Sequence, residues 1–163
     1  MISSSSKHDN SAIRACEKSS LKSNDPRVDA NCIGRGGVLT RDVKGFIAAF
    51  KGEKISPAEY EELPPQQQGY AVALGIGMYL NCYKSCMDGT CTASLVNSPW
   101  RSNKASNSEL HIGFVEGEWR ASLYTMDNIL LKEGTELFYS YGRTYKYEKR
   151  FGLIIINKIE DYM

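Results

Sequence analysis

The sequence predicts a mainly β domain, and three observations carry that expectation. Short runs rich in Val, Ile, Phe and Tyr recur along it, as in GGVLTRDV and YAVALGIGMYLNCY, and such runs are strand formers. Turn residues separate them at short intervals. Only one stretch, SPAEYEELPPQQQG, carries a full set of helix signals. Many short strands with little helix, and no repeat or heptad, point to small packed sheets.

The first element is a weak one. Residues 1–30 are rich in Ser, Lys, Asn and Asp and offer too little apolar surface to offset the entropy of ordering. A flexible leader is expected there, with a short helix around SAIRACEKS. From Gly34 the character changes: GGVLTRDV and GFIAAFKGEKI are β-prone runs separated at Lys44-Gly45. In SPAEYEELPPQQQG, Ser56 is placed to cap a helix, Pro57 to open it and Glu59 to close a capping box, with Pro64-Pro65 as the stop.

YAVALGIGMYLNCY returns to strand-like alternation, KSCMDGTC is expected to be a loop, and TASLVNSPWRSNKASN to be irregular after a short helical turn. ELHIGFVEGEWRASLYTMDNI is expected to form a hairpin turning at Glu116-Gly117. LLKEGTELFYSYG supplies a further turn and a last strand, on which Tyr139 and Tyr141, two apart, share one face.

The chain has the size of one domain at 163 residues, and its formal charge of +1 gives no basic field for nucleic acid. MISSSSKHDN has no apolar centre, so no signal peptide is expected, and no stretch is long and apolar enough to span a bilayer. An intracellular protein follows, whose five cysteines are expected as thiols.

Several constellations have two readings. In GRGGVLT the glycines run into a strand rather than a helix, which argues against a phosphate cradle. A tight turn, or one that lets a ligand approach the backbone, remains. Cys82, Cys86 and Cys91 supply three soft ligands where a closed zinc site needs four, so His111 or Cys32 would have to complete it; no metal is the preferred reading. With His111 and His8 as the two histidines, nucleophilic triads lack candidates. EYEEL reads as the solvated face of a helix, and LFYSYGRTY by itself could be ordinary core.

The order of four pieces favours a site. GRGGVLTRDVKGFIAAFKGE, ASLVNSP, ASNSEL and LLKEGTELFYSYGRTY together resemble the SET domain of protein lysine methyltransferases, over about residues 33–147. That family shows a Gly-x-Gly-Val turn, an aromatic-x-Gly-Glu strand end, a central Asn-His and a late Tyr-x-Tyr-Gly. The resemblance implies a SET-domain fold of small curved sheets with a C-terminal pseudoknot, in residues 31–147, closed by residues 148–163, where Leu153 to Ile156 would form a strand or packed turn.

It also implies S-adenosylmethionine as cofactor and a protein lysine as substrate, on a histone tail or another protein, with a nuclear location ahead of a cytoplasmic one. Tyr141 takes the place of the central catalytic tyrosine. Tyr139 takes the place where a phenol limits the number of methyls, which implies monomethylation. Arg35, Gly36 and Gly37 would turn their backbone toward the cofactor, with Asn97, Ser98 and Tyr70 beside it and Tyr145 and Tyr147 over its adenine. Phe50 would line the lysine channel, where many members have tyrosine. Ser98 replaces the usual histidine, Arg35 the first glycine, and Thr135 a glutamate. Phe50 and Ser98 carry the rival reading, a SET-like module that binds a protein tail with little or no catalysis.

Overall fold

A computed structural model describes residues 12–26, 34–75 and 77–141. Its first strand, β1 (Ile13–Cys16), pairs antiparallel with β2 (Gly36–Leu39), Ile13 opposite Leu39 and Cys16 opposite Gly36. The helix expected around SAIRACEKS is therefore a strand. Its β-branched Ile13 and the neighbouring Ala12 are buried in the main core, and that burial outweighs a polar local composition. The flexible leader expected over residues 1–30 is likewise corrected for 12–26. Leu21 packs with Phe138, and Ser23 bridges Ser102.

Strand β3 (Val43–Lys44) pairs with β10 (Leu130–Leu131), and Gly45, at φ +88°, turns the chain into β4 (Phe46–Ala49). A three-stranded sheet has the order β4-β9-β8, with β8 (Ser108–Val115) and β9 (Glu118–Thr125) forming the predicted hairpin. Its two turn residues, Glu116 and Gly117, both have positive φ, the twist that matches a two-residue hairpin. A second three-stranded sheet has the order β5-β7-β6, built from β5 (Glu53–Ile55), β6 (Ala71–Gly75) and β7 (Met78–Asn81).

Helix α1 (Pro57–Glu62) follows its sequence signals. Ser56 Oγ accepts the Glu59 amide at 3.1 Å, and Glu59 Oε1 accepts the Ser56 amide at 2.9 Å. Pro65, expected only as a stop, also opens a one-turn helix, α2 (Pro65–Gln68), since proline suits a first helical position. KSCMDGTC is a loop only in its second half. Tyr83–Met87 form α3, whose Cys86 is buried.

Leu39, Ile47, Leu74, Leu123 and Leu137 are the largest fully buried side chains, drawn from β2, β4, β6, β9 and the late extended segment. Each contributes roughly 1.5–3 kcal/mol of burial. One core thus ties the small sheets together. Among the described residues no helix is long and apolar enough to cross a membrane.

Candidate active site

The site is assembled where residues 135–141 run between two other parts of the chain. On one side Leu39 donates its amide to the Thr135 carbonyl at 3.0 Å, and Leu137 donates to the Gly37 carbonyl at 2.9 Å. On the other side Asn97 and Phe138 form a parallel bridge, in which the Tyr139 amide donates to the Asn97 carbonyl at 3.2 Å. The expected last strand is therefore an extended segment held by single bridges to different partners, not a ladder. Alternation of neighbours explains why: successive backbone groups face β2 and the 96–97 segment in turn.

A side chain completes the seam. Asn107 accepts the Phe138 amide through Oδ1 and donates through Nδ2 to the Glu136 carbonyl, both at 2.9 Å, while its own amide donates to the Phe138 carbonyl at 3.0 Å. Glu136 fastens the amino-terminal segment to the same seam. Its carboxylate accepts from the Ser19 hydroxyl, from the Ser20 amide at 2.9 Å and from the Ser20 hydroxyl at 2.6 Å.

Tyr139 and Tyr141 do share a face. Their ring centroids lie 5.0 Å apart at 62°, and the Tyr139 ring meets Phe50 at 6.0 Å. Tyr141 Oη donates to the Val96 carbonyl at 2.8 Å. All three rings line one cavity of ≈ 200 Å³, with Tyr70, Ser94, Val96, Asn97 and Leu110 on other walls. Tyr60, Glu61 and Tyr79 line it too. Two segments more than 40 residues apart are thus joined at a single concave site, as expected for Asn97 and Tyr141.

The glycine segment departs from its expectation. Gly36 and Gly37 lie in β2, not in a turn. A Cβ on Gly36 would fall 2.3 Å from Glu136 Oε2, and one on Gly37 would fall 3.0 Å from Val96 Cγ2 and 3.1 Å from Ile13 Cγ2. Their lack of a side chain lets β2 close onto the late segment and the 96–97 segment. Arg35 does meet the site: its carbonyl accepts the Asn97 Nδ2 donor at 2.9 Å. Arg35, Gly36, Gly37 and the buried Ser98 stand outside the cavity lining. Tyr145, Tyr147 and Leu153 to Ile156 lie outside the described residues.

Behind the cavity wall sits a pair of thiols. Cys91 Sγ accepts the Lys51 amide at 3.3 Å and lies 3.4 Å from Ser94 Oγ. A hydrogen bond from Cys82, assisted by these neighbours, holds the Cys91 thiol down to about 6, while the same bond and burial push Cys82 up. Elsewhere on the lining, burial raises the Tyr60 phenol, and Tyr79 and Glu61 add to the effect. Among the described residues no three His, Cys, Asp or Glu side chains converge as a metal site.

The aromatic pair and Asn97 were legible in the sequence. Asn107, Ser94, Leu110, Tyr60 and Tyr79 were not assigned to the site. Asn107 carried a signal all the same, since it stands in ASNSEL, one of the four ordered pieces.

No protein-family model matches the chain, and no curated protein does. Solved structures do resemble it. The autoinhibited ctPRC2 bound to S-adenosylmethionine is similar with a TM-score of 0.58 and 22% identity, over 83% of this chain and 16% of the other. The Chaetomium thermophilum Polycomb Repressive Complex 2 bound to GSK126 is similar with a TM-score of 0.54 and 20% identity, over 82% of this chain and 16% of the other. This chain therefore spans about a sixth of those it resembles. From the crossing of its late segment with the 96–97 segment, and from this likeness in three dimensions, the chain has the SET-domain fold.

Proposed function

We propose that this chain transfers a methyl group from S-adenosylmethionine to the ε-amine of a protein lysine, and that it stops after one methyl. The observation that carries the reading is the bridge between Asn97 and Phe138, which sets Tyr139 and Tyr141 against Val96 in one cavity. Among the described residues, five tyrosines and one carboxylate line that cavity, and no Lys, Arg or His does. Such a lining favours an alkylammonium chain and a sulfonium over an anion, through ring faces and phenol oxygens. Its volume of ≈ 200 Å³ falls below the roughly 300–1,000 Å³ of pockets that enclose a drug-sized ligand, and suits a slender side chain.

When bound, S-adenosylmethionine supplies an electrophilic methyl group and a positive charge. Asn97, Ser98, Tyr70 and the Arg35 backbone would hold it; the structurally similar ctPRC2 is bound to the same molecule. The chain's own part is positioning and water exclusion. A lysine reacts only as the neutral amine, and a dry aromatic lining lowers its pKa by disfavouring the ammonium form. Solvent takes that proton. The Tyr141 hydroxyl proton is committed to the Val96 carbonyl, so its oxygen faces the amine as an acceptor and orients an N–H. Holding the reactants in line is worth roughly 7–11 kcal/mol, which asks for no histidine or carboxylate base.

Tyr139 sets the product. Its ring is buried between Phe50 and Tyr141, and its phenol oxygen occupies room that a second methyl would need. A histone tail is the first substrate to try, with the nucleus as the matching compartment. The test is incubation with methyl-labelled cofactor and lysine peptides: the wild type labels a peptide and Tyr141→Phe does not. Cofactor binding without transfer to any lysine peptide would leave the non-catalytic module as the better reading.

A further inference from the structure

The part of the cavity lining that holds Tyr60, Glu61 and Tyr79 enters the chemistry above only through its overall character, with no role given to any one of the three. It is built by α1, β6 and β7. The Tyr60 and Tyr79 rings stack in parallel, with centroids 4.2 Å apart and planes within 4°, and Glu61 follows Tyr60 on the cavity lining. The neighbouring carboxylate on α1, Glu59, is consumed by the capping box. Glu61 is different: it is exposed, its backbone carbonyl accepts from Gln68 Nε2 at 3.4 Å, and its carboxylate has neither a hydrogen bond nor an ion pair among the described residues. The same holds for the hydroxyls of Tyr60 and Tyr79. This is an offset-stacked pair, one of the arrangements that two rings prefer. It leaves each ring one face uncovered by the other.

A planar cation meets all three features at once. A guanidinium can lie on a tyrosine face while its N–H groups reach a carboxylate in a fixed fork, which an ammonium does not reproduce. We propose that Tyr60, Tyr79 and Glu61 form a specificity site for an arginine that flanks the target lysine in the substrate peptide. This rests on the lysine-methylation reading, since the flanking arginine is defined by the lysine in the channel. Charge supports the choice of occupant, because among the described residues the cavity lining holds one carboxylate and no basic side chain. Glu61 and the two rings act on binding, not on the reacting atoms.

The test uses the full chain and two fluorescent peptides that differ only in having arginine or alanine next to a single lysine, with the arginine placed in turn on either side at one and two residues. Peptide binding is measured by polarisation, and methyl transfer is measured in parallel with labelled cofactor. The proposal expects at least one arginine register to bind about tenfold more tightly than its alanine partner, and expects Glu61→Gln to reduce that difference to about twofold or less. In transfer, Glu61→Gln should raise KM for the arginine peptide and leave kcat within about twofold. Tyr79→Leu, which keeps bulk and removes the ring face, should lower the discrimination as well.

Equal binding of arginine and alanine peptides in every register overturns the proposal, and so does discrimination that survives Glu61→Gln. Replacement of arginine by lysine with no loss of affinity would also overturn it, since it would show a point charge rather than a planar recognition site. Failure of the lysine-methylation reading has a separate signature: no label transfers to the alanine peptide at any concentration, whatever the binding results are.

Discussion

Replacing Asn107 with alanine isolates the seam on which the site depends. The carboxamide makes two hydrogen bonds to the backbone of the late segment, one from Phe138 and one to Glu136, each at 2.9 Å. Each such bond is worth about 1 kcal/mol net, and a buried amide left without a partner costs a further ~1–3 kcal/mol. Phe138 is only 4% exposed, so water does not readily replace its lost acceptor. The sum is about 3–5 kcal/mol of destabilisation. Asn103 is the control: its Oδ1 accepts a single bond from the exposed Lys22 amide at 2.8 Å, and Asn103→Ala should cost at most about 1 kcal/mol. Urea unfolding of the two variants, with unchanged slopes, reads the difference. An Asn107→Ala loss no larger than that of Asn103→Ala would refute the seam as drawn here.

Further expectations follow from neighbouring contacts. Gly37→Ala should destabilise by about 1–3 kcal/mol, because the new methyl overpacks against Val96 and Ile13; thermal unfolding checks it, and a neutral result would mean that β2 and the 96–97 segment are farther apart. Tyr139→Phe should shift the product from mono- toward dimethyl-lysine without loss of turnover, as read by mass spectrometry of a reacted peptide. For Cys91, the folded thiol lies at about 6 against an ordinary 9.0, so its contribution to stability is present above pH 9 and is lost as pH falls through 6. Stability should therefore rise between those values, and thiolate absorbance should show a step near pH 6 that Cys91→Ala abolishes. Asp42, lowered by the Glu133 amide, should titrate below 3.8 in a carboxylate NMR experiment, and Asp42→Asn should leave stability little changed because the group is fully exposed.

Local signals served where the cause is local. Ser56, Pro57 and Glu59 predicted α1 because a capping box is made by residues three apart, and Glu116-Gly117 predicted the hairpin through its required backbone angles. Ile13 to Cys16 was misread because its partner, β2, lies about 20 residues away and supplies the burial that makes a strand of it. The late segment was read as a strand for its alternation, yet its neighbours change from Gly37 to Asn97 to Asn107 along its length, which no local pattern encodes. The ordered motifs anticipated that Asn97 and Tyr141 meet. They did not anticipate Tyr60, Glu61 and Tyr79, since EYEEL has the same appearance as any solvated helix face until β7 is folded beneath it.

A crystal structure of the chain grown with S-adenosylmethionine is the most direct trial of the account. The account predicts density for the methionyl end beside Asn97 and the Arg35 carbonyl, with the methyl group directed into the cavity toward Tyr141. Cofactor density on another face of the molecule, or none at saturating concentration, would contradict it.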